Sequence, residues 1–218
     1  MSSDAPQIRT CLSCGLRYPL IDVNTFGTRC PVCLGETRLT LRLGKKSDSE
    51  PKLSSSSDSA RALRTRFAVL LDNIRSAWNV GSIFRSADGF GFTHAYLCGI
   101  TPTPESEAVT KTSLGAEDMV TWSYHKDAVQ LVRGLKKESW HVWALEEHEF
   151  AVSLSAFPHD ESPILTLLII GNEVTGVDSD LLELSDSIIH IPMRGEKTSF
   201  NVAVAFGIAA YQLTESSI

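Results

Sequence analysis

"PILTLLIIGNEVTG", residues 163–176, is the stretch whose reading decides the fold. It holds the most apolar run in the chain, up to Ile170, and passes directly into Gly171, Asn172 and Glu173. A strand with one wet face alternates apolar and polar residues; an unbroken apolar strand is buried on both faces, as in a parallel sheet sandwiched by helices. "RFAVLLD" (66–72), "HAYLCGI" (94–100), "WHVWAL" (140–145) and "SIIHIPM" (187–193) also read as strands.

Helical periods fill the gaps. In "NVGSIFRSADGFG" (79–91), Val80, Ile83, Phe84 and Ala87 share a face. "DAVQLVRGLKKE" (127–138) turns Ala128, Leu131, Val132 and Leu135 inward and ends on Lys136 and Lys137, which suit a helix C-terminus. "DSDLLELS" (178–185) is a short helix that Asp178 or Ser179 can cap, and "VAVAFGIAAYQL" (202–213) is apolar enough to be buried. The expectation is an α/β fold, a mostly parallel sheet covered by helices on both faces. Ligands of such sheets gather at the carboxyl ends of the strands.

The totals fit that class. Of 218 residues, 43% are apolar and 21% charged, which excludes disordered and collagen-like chains. No run approaches the roughly 18 consecutive apolar residues of a membrane span, and "MSSDAPQIRT" lacks the apolar core of a signal peptide, so a cytoplasmic protein is expected. The net charge of −6 is unevenly spread: residues 1–66 carry 11 Lys/Arg and 6 Asp/Glu, residues 67–218 carry 9 and 20. A basic arm on an acidic body suits a polyanionic partner, although ordinary scatter produces the same imbalance.

Four of the five cysteines form one pattern, Cys11-x2-Cys14, fifteen residues, Cys30-x2-Cys33. Two thiolates three positions apart on a tight turn face one ion, and two such knuckles complete a tetrahedron. Gly15 and Gly35, just past each knuckle, offer the backbone freedom this requires. Structural Zn2+ is expected, and iron in a four-thiolate site fits the same residues. Cys98 lies in an apolar strand and reads as a small buried hydrophobe. The Ser-rich stretch Gly44–Ala60 reads as a flexible linker. The organisation expected is a zinc-ribbon-like module over 1–43, a linker over 44–65 and one full-sized domain over 66–218.

Polar clusters stand at three strand ends. The first, Asn73–Gly91, contains Asn79, Gly81 and Arg85, with Asn79 placed to cap its helix. The second is "GNEVTG" (171–176), where two glycines around Glu173 let the backbone approach something flat or phosphate-like. The third, "PMRGEKTSFNVAVAFG" (192–207), puts Arg194, Glu196, Lys197, Ser199 and Asn201 between a strand and a buried helix. Taken singly, each also reads as an ordinary capped helix or polar turn.

Together, "NVGSIFR" (79–85), "GNEVTG" (171–176) and "IPMRGEKTSFNVA" (191–203) stand in the order and spacing of the three motifs of the SpoU family. That family comprises RNA 2′-O-ribose methyltransferases of the SPOUT superfamily. The resemblance runs from about Phe67 to Leu213 and includes "KTSLGAE" (111–117); residues 1–60 lie outside it. It implies an α/β sheet whose C-terminal segment threads into a trefoil knot, an exception to the usual avoidance of threaded chains. It implies S-adenosylmethionine as methyl donor, held by Gly171, Ile191, Met193, Gly195 and Phe200, the last standing where relatives usually carry Leu. It implies a site of Arg85, Asn79, Glu173, Ser199 and Asn201. Arg85 is either the base at the ribose hydroxyl or, more easily for a guanidinium, an oxyanion stabiliser and phosphate anchor. It further implies a tRNA or rRNA substrate and a homodimer through the knotted region. The basic residues of the arm (Arg9, Arg17, Arg29, Arg38, Arg42, Lys45, Lys46) are then candidates to hold that RNA. A non-catalytic RNA-binding or assembly factor of the same fold is the alternative; it predicts loss of the Arg, Glu or Ser–Asn positions, and all are present. A base-methylating relative is a further alternative.

Overall fold

The computed structural model describes residues 7–20, 28–30, 32–42, 66–156, 165–197 and 199–215. The expected linker, residues 44–65, lies outside them. The chain divides into two compact units, residues 1–56 and 57–218.

The first unit is a small antiparallel sheet, β1 (Gln7–Cys11), β2 (Arg17–Leu20) and β3 (Thr37–Arg42), in the order β2-β1-β3. β1 ends on Cys11 itself, so the first knuckle is the turn that leaves the central strand.

The second unit is built on seven strands: β4 (Arg66–Asp72), β5 (His94–Cys98), β6 (Thr121–His125), β7 (His141–Leu145), β8 (Val152–Ser153), β9 (Leu165–Ile170) and β10 (Ser187–His190). Their order is β6-β5-β4-β9-β7-β10-β8, and every pairing is parallel. The helices are α1 (Ala77–Gly89), α2 (Glu107–Ser113), α3 (Ala128–Lys137), α4 (Ser179–Leu184) and α5 (Val202–Glu215).

Alternation along β4 shows why the apolar runs are unbroken. Phe67, Val69 and Leu71 join a core with Val80, Ile83 and Phe84 of α1, Val109 of α2 and Phe206 and Ala209 of α5. Ala68 and Leu70 face the opposite way, into a core with Val132 and Leu135 of α3 and Leu181 of α4. Each face of the sheet therefore carries its own layer of helices, as a doubly covered parallel sheet requires.

Three elements are not legible in the hydrophobic pattern. β6 is the sheet's edge and holds no fully buried residue, so "TWSYH" lacks the apolar signature of its neighbours. β8 has only two residues, and α2 has only seven, with Val109 and Ser113 buried. α1 also begins earlier than its apolar period suggests, at Ala77. Cys98 is fully buried, and burial pushes its thiol up to about 12, so it is the inert hydrophobe expected.

The chain leaves β4 towards β5 on one side and leaves β9 towards β10 on the other. β4 and β9 are neighbours, so their carboxyl ends flank the point where the winding reverses, the crevice in which open parallel sheets bind ligands.

Candidate functional site

The loop after β4 is pinned before the helix starts. Ile74 N–H donates to Thr101 Oγ1 at 3.0 Å, and the amide of Asn172 donates to the Asn73 carbonyl at 2.6 Å. Ser76 then caps α1 by accepting from Asn79 N–H at 3.3 Å. This corrects one expectation, since Asn79 is not the cap. The helix starts two residues before it, so Asn79 stands in the first turn with its side-chain amide free to bond outward.

That amide meets the loop after β9. Glu173 accepts from Arg75 N–H at 2.9 Å, Ser76 N–H at 3.1 Å and Asn79 Nδ2 at 3.0 Å. Partial burial raises the carboxyl's pKa, but the Arg75, Asn79 and Ser76 donors outweigh it and leave the group below its ordinary value. Asn79 Oδ1 accepts from Asn201 Nδ2 at 3.1 Å. Asn201 in turn caps α5, with its Oδ1 accepting from Ala203 N–H at 3.0 Å. One chain of hydrogen bonds thus joins segments at positions 75–79, 173 and 201.

The two glycines around Glu173 serve the loop's own geometry. A Cβ on Gly171 would strike the backbone of Gly176 and Val177, because Asn172 and Gly176 pair across the turn. Gly176 sits at a φ of +73°, and a Cβ there would meet the Glu146 carboxylate. The expected close approach is therefore made by one part of the loop to another.

Beside this network lies a cavity of about 480 Å3, within the range of small-molecule sites. It opens at the carboxyl ends of β7, β9 and β10 and is lined by Gly171, Ile191, Met193, Ser199, Phe200 and Asn201, among others. Gly195 lies in the same loop as Met193 but is not part of the cavity wall. Phe200, 40% exposed, forms part of the cavity wall. Arg85 is exposed on α1 and makes no hydrogen bond or ion pair with the described residues, so it is not tied into the network.

Glu146, Glu147 and His190 also line the cavity, and the sequence motifs do not single them out. Glu146 accepts from Val177 N–H at 2.8 Å, and Glu147 lies 3.1 Å from His190 Nδ1. The available signal is their place: two carboxylates directly after the apolar run that ends at Leu145.

In the first unit, the sulfurs of Cys11, Cys14, Cys30 and Cys33 all lie within 4.8 Å of one another. Cys11 and Cys33 Sγ are 3.4 Å apart, and Cys14 and Cys30 Sγ 3.7 Å. A tetrahedron of thiolates at 2.3 Å from zinc has edges of about 3.8 Å, so the set fits the ion. Cys14 and Ser13 N–H donate to Cys11 Sγ, each at 3.4 Å, and bring that thiol down to about 6 despite burial. Gly15 supplies the left-handed turn expected of it, at φ +75°. At the second knuckle Leu34, not Gly35, takes that conformation, and Gly35 instead leaves room for Ser13.

Residues 66–211 match the family described as SpoU rRNA Methylase. The chain is 30% identical over 144 residues to the tRNA (guanosine(18)-2′-O)-methyltransferase of Thermus thermophilus, covering 66% of this chain and 72% of that one. It is also 30% identical over 148 residues to the 23S rRNA (guanosine(2553)-2′-O)-methyltransferase of Bacillus subtilis, covering 68% and 58%. Among solved structures, the AdoMet-bound rRNA methyltransferase from Sinorhizobium meliloti superposes with a TM-score of 0.65 at 24% identity, over 70% of this chain and 57% of that one. The second and third motif segments line the cavity, and the first reaches it only through the bonds of Asn79 to Glu173 and Asn201, since neither Asn79 nor Arg85 is part of the wall; all three fall inside the matched residues. On that match, covering well over half its length, the chain belongs to the SpoU family of methylases.

Proposed function

We propose that the protein methylates a ribose 2′-hydroxyl in tRNA or rRNA, with S-adenosylmethionine as donor. The observation that carries this reading is the Glu173–Asn79–Asn201 relay, which draws the three motif segments to one rim of the cavity. Support comes from the related enzymes, named as guanosine 2′-O-methyltransferases of tRNA and of rRNA.

The cavity suits the donor. Apolar walls from Leu145, Ile170 and Ile191 match a flat ring, and the nearby carboxylates of Glu146, Glu147 and Glu173 suit a ligand with cationic centres and ribose hydroxyls. Gly171, Ile191, Met193 and Phe200 hold it from the strand ends and the loop, with Gly195 setting the loop's path. When bound, the donor supplies a methyl group already activated by its positive sulfur, so the remaining demands fall on positioning and on the hydroxyl.

The chain's residues meet those demands as follows. Glu173 fixes the Arg75–Ser76 backbone and the Asn79 amide. Asn79 and Asn201 hold the start of α5 against the start of α1, and Ser199 faces the cavity just before it. Arg85, with no acidic partner among the described residues, is free to meet the hydroxyl and the flanking phosphate. As a guanidinium it stabilises the developing oxyanion and does not take the proton.

The same reading gives residues 1–43 as a zinc-ribbon-like module holding one ion on its four thiolates, 44–65 as a linker and 66–218 as the methyltransferase domain. Its C-terminal part is threaded as a trefoil knot. Two such domains pair through that region, where Val204, Ile208 and Tyr211 leave an apolar stripe on α5 that is at least 36% exposed. No helix among the described residues is long and apolar enough to cross a membrane, and the reading places the enzyme in the cytoplasm. The acidic second unit makes the basic arm the proposed source of phosphate contacts.

The test is transfer of labelled methyl from S-adenosylmethionine to total tRNA and, separately, rRNA from cells lacking the protein, read by nucleoside mass spectrometry. A labelled 2′-O-methyl nucleoside is expected. Cofactor binding without transfer to either pool, or to an assembled ribosomal particle, would favour the non-catalytic alternative.

A further inference from the structure

Trp78 stands one residue before Asn79, in the first turn of α1, with its indole 63% exposed. The other three tryptophans, Trp122, Trp140 and Trp143, pack against one or other core. Trp78 makes no ring contact with the described residues, although the backbone at and just before it is held by side-chain hydrogen bonds. Arg75 and Ser76 N–H are fixed on Glu173, Ser82 Oγ donates to the Trp78 carbonyl at 2.9 Å, and the next side chain bonds both Glu173 and Asn201. A rigid aromatic platform on an ordered turn loses little freedom when something stacks on it.

Charge points to the occupant. Residues 67–218 carry 20 Asp/Glu against 9 Lys/Arg, yet Arg75, three positions before Trp78, and Arg85, seven after it, have no acidic partner among the described residues. Two guanidiniums unpaired among the described residues, close in sequence to an exposed indole in an otherwise acidic stretch, match a ligand that is flat and anionic at once. An unstacked nucleotide is such a ligand, with its base on an aromatic ring and its phosphate at Arg.

We propose that Trp78 is the stacking platform for a nucleobase of the RNA, the target base or its immediate neighbour, with Arg75 at the adjoining phosphate. The proposal rests on the reading of the protein as an RNA 2′-O-methyltransferase. It adds a base-binding subsite, formed by the turn that leads into Asn79. A nucleotide whose base has left its stack can turn its ribose freely into a site at a strand end, and the indole replaces the stacking it gives up.

The experiment uses the full chain and whichever RNA pool the wild type methylates. Trp78→Ala is expected to raise KM for RNA by about tenfold or more, the effect of losing one stacked base, and Trp78→Phe to stay within about threefold of wild type. The affinity for S-adenosylmethionine and the oligomeric state in sedimentation are expected to be unchanged in both. RNA is expected to quench tryptophan fluorescence in the wild type and much less in Trp78→Phe. An unchanged KM with unchanged quenching would overturn the proposal. So would a shift of Trp78→Ala to a smaller oligomer, which would make the indole a contact between copies. Wild type that binds and methylates neither pool would instead sink the reading on which the proposal rests.

Discussion

The side-chain amide of Asn79 and the carboxylate of Glu173, 94 positions apart in the chain, meet at 3.0 Å. The contact closes the gap between the carboxyl ends of two adjacent strands, β4 and β9. Because Asn79 also accepts from Asn201, the start of α5 is registered against the start of α1 through a single side chain. Loops that leave neighbouring strands in opposite directions are thereby held as one surface.

Glu173→Gln is expected to lower turnover by about tenfold to a hundredfold, the effect of losing one or two charge-assisted hydrogen bonds. The amide can still accept at one oxygen, but its NH2 faces a backbone donor on the other side. The pH dependence follows from the lowered carboxyl pKa. With the folded value below the unfolded one, the carboxylate's stabilisation is complete above the ordinary carboxylate range and is lost as pH falls through the lowered value. Wild type should therefore lose activity on the acid side, and Glu173→Gln should lack that limb. Superimposable acid limbs in the two pH–rate profiles would show that Glu173 is not the titrating group.

Arg85→Ala is expected to reduce turnover by about 10²–10³, as for removal of one oxyanion-stabilising donor, while leaving S-adenosylmethionine affinity within about twofold. Arg85 is exposed and unbonded among the described residues, so the loss is not a folding effect. Arg85→Lys should recover part of the rate, because charge is kept and the fork geometry is not. Single-turnover kinetics beside cofactor titration by calorimetry separate the two effects. A variant that kept most of its rate would remove Arg85 from the site.

The layered fold is legible because its central strands are apolar on both faces; β4 and β9 announce themselves in "RFAVLLD" and "LTLLII". β6 escapes because an edge strand with half-wet faces carries no such run. The site is legible as residue types and not as geometry. Asn79, Glu173 and Asn201 each stand out in their motifs, but nothing local reveals a contact across 122 positions, and that contact is what makes Asn79 a bridge and not a cap. Glu146 and Glu147 escape because a pair of acidic residues after a strand looks like any solvated turn until β9 and β10 bring their loops alongside it.

Gly81 is expected to be intolerant of even one methyl group. A Cβ there would collide with Thr112 Oγ1 and with the backbone of Val109 and Ser113, where α2 crosses α1. The threonine can rotate, but the α2 backbone cannot yield without moving the helix. Gly81→Ala should destabilise by about 1–3 kcal/mol, or about 2–4 °C in Tm per kcal/mol for a domain of this size. It should also weaken activity by tilting the first turn of α1, which holds Asn79. Thermal unfolding of the variant checks this. An unchanged Tm would mean that the α1–α2 contact is looser than the backbone geometry gives.

The four-thiolate cluster is expected to hold about one zinc per chain, measured by elemental analysis after dialysis, and Cys14→Ser to lose most of it. Sulfur spacings of 3.4 and 3.7 Å leave a gap of the size zinc fills, and backbone donors already favour the thiolate at Cys11. Iron would give a coloured protein, whereas zinc, with a filled d shell, gives none. The metal's purpose is then read from RNA binding as a function of salt. If the basic residues around the knuckles neutralise RNA phosphates, removing residues 1–60 should weaken binding and flatten the dependence of log K on log salt by about 0.7–0.9 for each phosphate that is no longer neutralised. The second unit, which carries the family match, should still bind S-adenosylmethionine with unchanged affinity. An unchanged salt slope would assign the module to a protein partner or to stability alone, and RNA recognition would then fall to the methyltransferase domain itself.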